Sequence, residues 1–144
     1  MAEVKDKIEI IKKSSRDYPK ILKEIHNAPK QLYVRGHLPK DHNLNFAIVG
    51  TRTASDYGKT LAFKIAKELA ELGFNIISGL ALGIDTQAHL GALEGKGKTT
   101  AVMGSAIDNN SIYPSENLNL VKKIISSGGA VISEYEPGTK SEIW

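Results

Sequence analysis

The second two-thirds of the chain alternates short apolar runs with longer amphipathic stretches. Four of the runs end at a glycine or a small polar residue, and they read FAIVG, FNIISG, TTAVMG and GAVISE. After the first run, Leu61, Ile65, Leu69 and Leu72 recur at helical spacing before Gly73 stops the helix. Strands that are apolar on both faces and alternate with such helices indicate a parallel sheet. The pattern predicts an α/β fold, a Rossmann-like parallel sheet with helices on both faces.

Two further helices follow from the same reading. One runs from about Asp85 to Glu94 and ends at Gly95, and the other opens at Ser115 as its N-cap and runs to Ser127. In sheets of this type ligands bind beyond the carboxyl ends of the strands. The candidate site therefore lies in the loops that follow the four apolar runs.

The first 45 residues have a different character. Residues 1–17 predict an amphipathic helical arm, because Val4, Ile8 and Ile11 recur at helical spacing among lysines. Residues 18–45 predict a short helix and a short strand, LYVRG, between proline and Asn/Asp breaks. We expect two parts, an N-terminal arm and cap over 1–45 and the Rossmann-like domain over 46–144.

Composition and charge narrow the function classes. The absence of cysteine excludes disulfides and thiolate metal sites. The sequence also has no run of 18 consecutive apolar residues, so we expect a soluble, cytoplasmic protein that does not bind membranes. The net charge is +3, but residues 1–45 carry ten Lys/Arg against six Asp/Glu, whereas the rest carries nine against ten. Any site for a polyanion in the body must therefore be local.

The loop after the first apolar run, GTRTASDYG, precedes a helix that begins near Gly58. It has neither the G-x-G-x-x-G spacing of a dinucleotide site nor the Gly-Lys-Ser/Thr of a P-loop. It does place the hydroxyls of Thr51 and Thr53 and the guanidinium of Arg52 at a helix N-terminus, a combination that suits a phosphate. An equally good interpretation is structural: Ser55 caps the helix while Arg52 pairs with an acidic side chain, Asp85 or Glu134.

The loop after the second run, SGLALGIDTQAH, has two glycines that allow tight turns, Gly79 and Gly83. Asp85 either caps the next helix or binds a ribose hydroxyl, and capping is the commoner role. His89 lies four residues further on the same helical face. With no third ligand nearby, a buried and hydrogen-bonded histidine is favoured over a metal ligand or an acid–base group.

The remaining two loops carry less specific chemistry. Tyr113 either stacks on a base or covers the core, and Glu134 and Glu136 either accept protons or repel misplaced anions. The sequence has no Ser-His-Asp or Cys-His set, no paired-carboxylate spacing and no H-E-x-x-H motif. It therefore predicts no catalytic residue, no bound metal and no cofactor.

Taken together, the loops resemble those of the DNA-processing protein A family, also called DprA or Smf. The matching stretches are YPKILKEIHNAPKQLYVRG, AIVGTRTASDYG, SGLALGIDTQAHLGALEGKGKTTAVMGSAID, IYPSEN and GGAVISEYEPGT. The resemblance implies an extended Rossmann domain that binds single-stranded DNA and helps to load the RecA recombinase on it during natural transformation and recombination. It also implies a homodimer without catalytic activity.

The resemblance carries residue roles onto this sequence. Arg52 stands at the family's DNA-backbone arginine, the glycine-rich segment from Ser78 to Asp85 adjoins the same pocket, and the segment from Tyr113 to Asn117 borders it. The candidate DNA-binding residues are Gly50, Thr51, Arg52, Thr53, Ser55, Ser78, Gly79, Gly83 and Asn117.

This sequence also departs from the family pattern. It has no F-P-x-R-N-R motif and no winged-helix domain, so the Rossmann domain is predicted to be truncated relative to the family, which puts dimerisation and RecA contact in doubt. No lysine closely follows the Tyr-Pro pair. Two alternatives stay open: a nucleotide-binding or nucleotide-processing Rossmann protein, with phosphate at Thr51–Thr53 and ribose near Asp85, and a degenerate scaffold domain.

Overall fold

A computed structural model describes residues 6–140, which fold around one six-stranded sheet in the order β1-β2-β6-β5-β4-β3. The strands are β1 (Glu9–Lys12), β2 (Gln31–Gly36), β3 (Asn45–Ala47), β4 (Asn75–Ser78), β5 (Thr99–Met103) and β6 (Ala130–Ser133). The helices are α1 (Lys20–Lys23), α2 (Asp56–Glu71), α3 (Ile84–Glu94) and α4 (Leu118–Ser126). A 3₁₀ turn over Ser115–Asn117 leads into α4. No helix within these bounds is long and apolar enough to cross a bilayer.

The four predicted apolar runs form the parallel half of the sheet. β3, β4, β5 and β6 pair in parallel in chain order, and β2 and β1 extend the sheet as antiparallel strands beyond β6. Each parallel crossover contains one of α2, α3 and α4. The Rossmann-like α/β prediction is therefore confirmed for this part of the chain.

The three crossover helices share one face of the sheet. The strand order advances in a single direction, and right-handed crossovers then bring every helix to the same side. Small residues allow α2 and α3 to approach closely: Ala66, Ala88 and Ala92 pack with Ile76 of β4. Aliphatic residues of α4, Val121 among them, pack on β5 and β6 in a second buried cluster.

The opposite face of the sheet is less completely covered. The helix α1 lies there, and Tyr18 and Leu22 pack with β2 and with Ile132 of β6. Val102 on the same face is 46% exposed. The predicted covering of both faces by helices is therefore uneven. Within residues 6–140, three helices lie on one face and only the one-turn helix α1 lies on the other.

The predicted helical arm over residues 1–17 is wrong for the residues that the structure describes, and Val4 lies outside them. Residues 9–12 form β1, which pairs antiparallel with β2. Ile8 and Ile11 then pack on opposite faces of the sheet, not on one helical stripe. Pairing with β2 supplies the backbone hydrogen bonds that a short isolated helix makes weakly in water. The division of domains at residue 45 stays a prediction.

Most of the predicted helix ends are correct, including the end of α3 at Gly95, and the predicted N-cap at Ser115 is wrong. The side chain of Ser55 accepts a hydrogen bond from the Gly58 backbone N–H at 3.1 Å and so caps α2, and Gly73 ends the helix with a φ of +91°. Ser115 is not an N-cap, because its hydroxyl is 3.4 Å from the Glu116 carboxylate and caps no backbone N–H. The 3₁₀ turn that follows replaces the first turn expected there.

Candidate nucleic-acid interface

The loops that follow the parallel strands meet at one edge and enclose a cleft of about 240 Å³, which we call the carboxyl-end cleft. The loops after β3, β4, β5 and β6 each contribute to it, as the topology predicts. Its lining residues are Arg52, Gly79, Ala81, Leu82, Met103, Gly104, Ser105, Tyr113, Pro114 and Tyr135.

Arg52 has an exposed side chain at this cleft, just before the N-terminus of α2. Over residues 6–140 its guanidinium has no hydrogen bond and no salt bridge. The guanidinium of Arg35, in contrast, donates to the Asp6 carboxylate and to the Ile107 carbonyl. The expected alternative, a pair with Asp85 or Glu134, is therefore not formed. An unpaired guanidinium beside a helix N-terminus is available to an anion from solvent.

The turn that presents Arg52 is fixed by local hydrogen bonds. The Thr53 backbone N–H donates to the Thr51 hydroxyl at 3.2 Å, and the Ile84 N–H donates to the Thr51 carbonyl at 3.2 Å. Gly83 has a φ of +81°, and a Cβ there would meet the Thr51 carbonyl oxygen at 2.3 Å. Gly83 therefore works by allowing two loops to touch, in addition to any approach to a ligand.

Asp85 connects the loops that follow β3 and β4. Its carboxylate does not cap its own helix and is not available to accept a hydrogen bond from a ribose hydroxyl. Its carboxylate accepts from the Gly50 backbone N–H at 3.3 Å and from the Gly79 N–H at 3.1 Å. The side chain is buried, at 6% exposure. Gly50 and Gly79 are thus held together, and only Gly79 lines the cleft.

Two of the candidate binding residues are buried supports. Ser78 is 2% exposed, and its hydroxyl donates to the Ile48 carbonyl at 2.7 Å. Asn117 is 6% exposed, and its Nδ2 donates to the Leu80 carbonyl and to the Thr86 hydroxyl, both at 2.9 Å. The structure therefore brings Thr51, Arg52 and Gly79 to the surface of the site but keeps these two side chains behind it.

His89 lies in the core between α3 and β5, away from the cleft. It is 0% exposed, and its Nδ1 is 2.7 Å from the Thr99 hydroxyl, which itself donates to the Ile76 carbonyl. The hydroxyl has one proton, so Nδ1–H must be the donor and Nε2 keeps a lone pair without a partner. Desolvation by burial lowers the pKa of His89 to about 3. The buried, hydrogen-bonded interpretation is confirmed.

Sequence reasoning did not place Tyr135 at the candidate site and left two interpretations of Tyr113 open. Both line the carboxyl-end cleft and are 40% and 51% exposed. Tyr135 follows β6 by two residues, so the rule that ligands bind at carboxyl strand ends would have selected it. Arg35 carried no local signal, since its partners are distant in sequence.

Two larger cavities lie elsewhere. One of about 500 Å³ is bounded by the N-terminal segment and contains Arg16. One of about 530 Å³ lies on the second face of the sheet against Val102 and Ile132. Neither cavity combines an exposed, unpaired arginine with the N-terminus of a long helix and exposed aromatic rings. We therefore choose the carboxyl-end cleft as the candidate site for its chemical groups, although its volume is smaller. Within residues 6–140, no three His, Asp or Glu side chains are grouped to hold a metal ion.

Comparison with known proteins gives a consistent family assignment. The family model described as DNA recombination-mediator protein A matches residues 9–144. The chain is 42% identical to Protein Smf of Synechocystis over an alignment of 132 residues that covers 88% of this chain and 32% of that protein. It is 36% identical to the DNA processing protein DprA of Bacillus subtilis, covering 91% of this chain and 43% of that protein. The chain thus spans less than half the length of these relatives.

Solved structures show the same fold. DNA processing protein A from Streptococcus pneumoniae superposes with a TM-score of 0.77 at 34% identity, covering 96% of this chain and 47% of that one. The protein from Helicobacter pylori, studied for its single-stranded DNA binding mode, superposes with a TM-score of 0.80 at 30% identity, covering 97% of this chain and 61% of that one.

Proposed function

The chain belongs to the DNA recombination-mediator protein A family, and on that premise we propose that it binds single-stranded DNA at the carboxyl-end cleft. The observation that carries the proposal is the exposed guanidinium of Arg52, which has no acidic partner within the described part of the chain. A DNA phosphate supplies the missing anion, and the α2 N-terminus favours the same sign of charge.

A local site fits a single strand better than a duplex. The body carries nine Lys/Arg against ten Asp/Glu, so it lacks the broad positive field with which duplex-binding surfaces neutralise many phosphates. Thr51, Thr53 and the N-terminal turn of α2 surround Arg52 with short polar groups. The proposed contact is therefore one or two phosphates of a strand that passes the cleft.

The nucleotide alternative is weaker. A ribose ligand would need the Asp85 carboxylate, which already accepts hydrogen bonds from the Gly50 and Gly79 backbone N–H groups. We expect mononucleotides at millimolar concentration to leave the melting temperature unchanged and to leave a bound oligonucleotide in place. Stabilisation by a mononucleotide would favour the alternative.

The wider role follows the family. We propose that the protein acts by binding and not by catalysis, in the cytoplasm, and that it presents single-stranded DNA to RecA as a homodimer during DNA uptake and recombination. The support is the family assignment. Co-sedimentation with RecA filaments and measurement of mass in solution test the two assembly claims.

Fluorescence anisotropy with labelled oligonucleotides tests the binding claim. We expect single-strand affinity to exceed duplex affinity and to fall with salt, since phosphate contacts release counterions. Arg52→Ala should weaken binding by about 1–3 kcal/mol, which is roughly 5- to 150-fold. The matched control is Arg16→Ala, an exposed arginine at the cavity beside the N-terminal segment. Equal losses in the two variants would contradict a site at Arg52.

A further inference from the structure

The basic excess of the first 45 residues has no part in the carboxyl-end cleft. None of the residues that line the cleft comes from this segment, although the segment carries ten Lys/Arg against six Asp/Glu. Some of its cations are used within the fold, since Arg35 is buried and Lys20 pairs with Asp41 at 3.3 Å. Other exposed lysines of the segment are not used in this way.

Three of these lysines form a group at the end of the antiparallel strand pair. We call them the edge lysines: Lys12, Lys13 and Lys30. Lys12 is the last residue of β1 and pairs with Gln31, and the Lys13 backbone N–H donates to the Lys30 carbonyl at 2.9 Å, so the three residues are neighbours. All three are exposed, and within residues 6–140 their ammonium groups have no hydrogen bond and no salt bridge. A group of unpaired cations raises the local concentration of anions.

The register of the sheet puts the edge lysines at the same edge as the cleft. β2 is antiparallel to β6, and Tyr33 pairs with Ser133, the last residue of β6. The residues that precede Tyr33 therefore extend beyond the carboxyl end of β6. Lys12 pairs with Gln31, so the end of β1 lies at the same level. A DNA strand that leaves the cleft along this edge towards β1 therefore meets the edge lysines.

The distance between Arg52 and the edge lysines sets the length of DNA that can reach both. Arg52 follows β3, and the edge lysines lie at the ends of β1 and β2, on the far side of the sheet. Five steps of about 4.8 Å between neighbouring strands separate β3 from β1, which is roughly 24 Å. At the 3.4 Å per phosphate of a stacked strand, this distance takes about seven phosphates, and fewer if the strand is extended. A strand of four nucleotides is therefore too short to contact both places.

The carboxylates close to this edge leave it positive. Glu134 lines the cavity on the second face of the sheet, and Asp17 lines the cavity beside the N-terminal segment. Glu136 is exposed in the loop after β6 and opposes one of the three positive charges. The edge lysines therefore keep a net positive charge with which to attract phosphates.

We propose that the edge lysines bind phosphates of single-stranded DNA beyond the carboxyl-end cleft, so that one strand lies along this edge of the sheet from Arg52 to β1. The inference rests on the proposed function and adds the course and the length of the bound strand. Phosphate contacts read no bases, so this part of the surface accepts any sequence. The N-terminal segment is thereby a part of the DNA interface as well as a part of the sheet.

Anisotropy with labelled thymidine strands of four and twelve nucleotides, at low salt, tests the proposal. The triple variant Lys12→Gln/Lys13→Gln/Lys30→Gln should weaken binding of the twelve-nucleotide strand about ten-fold and leave that of the four-nucleotide strand within about two-fold of the wild type. Its salt slope for the longer strand should be shallower by about 2, because each phosphate contact to a single strand contributes roughly 0.7 to the slope. Arg52→Ala should weaken binding of both strands.

A matched control removes the same charge from the opposite end of the sheet. Lys98, Lys122 and Lys123 are exposed; Lys98 immediately precedes β5, and Lys123 lies in the last turn of α4. The variant Lys98→Gln/Lys122→Gln/Lys123→Gln should lose less than about two-fold for either strand, since solvent ions screen charges at this distance.

The two triple variants and Arg52→Ala separate the two proposals. If both triple variants lose affinity equally, or if the edge-lysine variant loses as much for four nucleotides as for twelve, while Arg52→Ala still weakens binding, the proposed course of the DNA is overturned and the proposed function stands. If the wild type binds neither strand, or if Arg52→Ala and both triple variants bind as the wild type does, both proposals are overturned.

Discussion

Two arginines lie on either side of the loops that form the carboxyl-end cleft, and their surroundings are opposite. Arg35 of β2 is 3% exposed, and its guanidinium donates to Asp6 at 3.0 Å, to the Ile107 carbonyl at 2.8 Å and to Asn109 at 3.0 Å. Arg52 is exposed and makes no such contact within the described residues. The same type of side chain is therefore a buried support in one place and an exposed, unpaired group in the other.

The difference shows that an arginine's partners, and not its presence, define its task. A buried guanidinium must have all its donors satisfied, because an unpaired buried charge is costly. An exposed one has no such requirement and stays available to an incoming phosphate. The comparison predicts that stability and DNA affinity can be changed separately at the same edge of the sheet.

The largest expected effect is on stability, in Arg35→Met. This change keeps the apolar stem but leaves the Ile107 carbonyl and the Asn109 side chain without their donor. We expect the free energy of unfolding to fall by about 3 kcal/mol, less than for a fully buried pair because Asp6 is partly exposed. Urea denaturation measures it. A loss below about 1 kcal/mol would remove Arg35 from its supporting role.

Acid should destabilise the interior of the protein at His89. Burial lowers the pKa of His89 from its ordinary 6.5 to about 3. Between these two values the unfolded chain binds a proton at this histidine and the folded chain does not. Stability is then complete above pH 6.5 and falls as the pH drops, by about 2 kcal/mol between pH 8 and pH 5. Denaturation across this range should show a flatter profile for His89→Gln. An unchanged slope would assign the acid sensitivity to other groups.

Arg52→Ala should show the reverse pattern to Arg35→Met. We expect single-strand binding to lose about 1–3 kcal/mol while the free energy of unfolding changes by less than about 0.5 kcal/mol, as for an exposed side chain without partners. Parallel anisotropy and urea titrations measure the two quantities. Destabilisation comparable to that in Arg35→Met would erase the distinction between the two arginines.

The smallest effect is expected for lysine at the exposed position. Arg52→Lys keeps a point charge for a phosphate, and we expect its affinity loss to stay near 0.5 kcal/mol. Arg35→Lys loses the fork that reaches three partners at once, so it should cost more in stability than Arg52→Lys costs in binding. Urea and anisotropy titrations measure the two losses. If Arg35→Lys loses no more stability than Arg52→Lys loses in binding free energy, the planar guanidinium is no more important at Arg35 than at Arg52.

The sequence was most informative where structure depends on near neighbours. The four apolar runs predicted the parallel strands by their composition, although β3 is exposed and Val102 of β5 is 46% exposed. Ser55 was recognisable as a cap by its position before the helix. Local reasoning also put Arg52 at the carboxyl ends of the strands, whereas its role as a DNA contact came from the family resemblance and stays a prediction. These features need only a few consecutive residues.

The failures are those of long-range contacts. Residues 9–12 have a pattern compatible with a helix, and only the antiparallel partner β2 makes them a strand. Arg35 meets the Ile107 carbonyl across 72 residues of sequence, which no local pattern records. The predicted DNA contact of Asn117 stays a prediction, but no local pattern indicated that its side chain is buried and donates to the distant Leu80 carbonyl. Tyr113 and Tyr135 likewise come together only when the sheet forms.

The central claim is the location of the DNA, and a ¹⁵N-resolved NMR titration with a short thymidine oligonucleotide tests it most directly. We predict that the backbone amides of residues 50–55 shift together with those of Gly104, Tyr113 and Tyr135, while residues 19–25 on the second face of the sheet stay unchanged. Shifts confined to residues 19–25 and 37–41, with none at Arg52, would contradict the account.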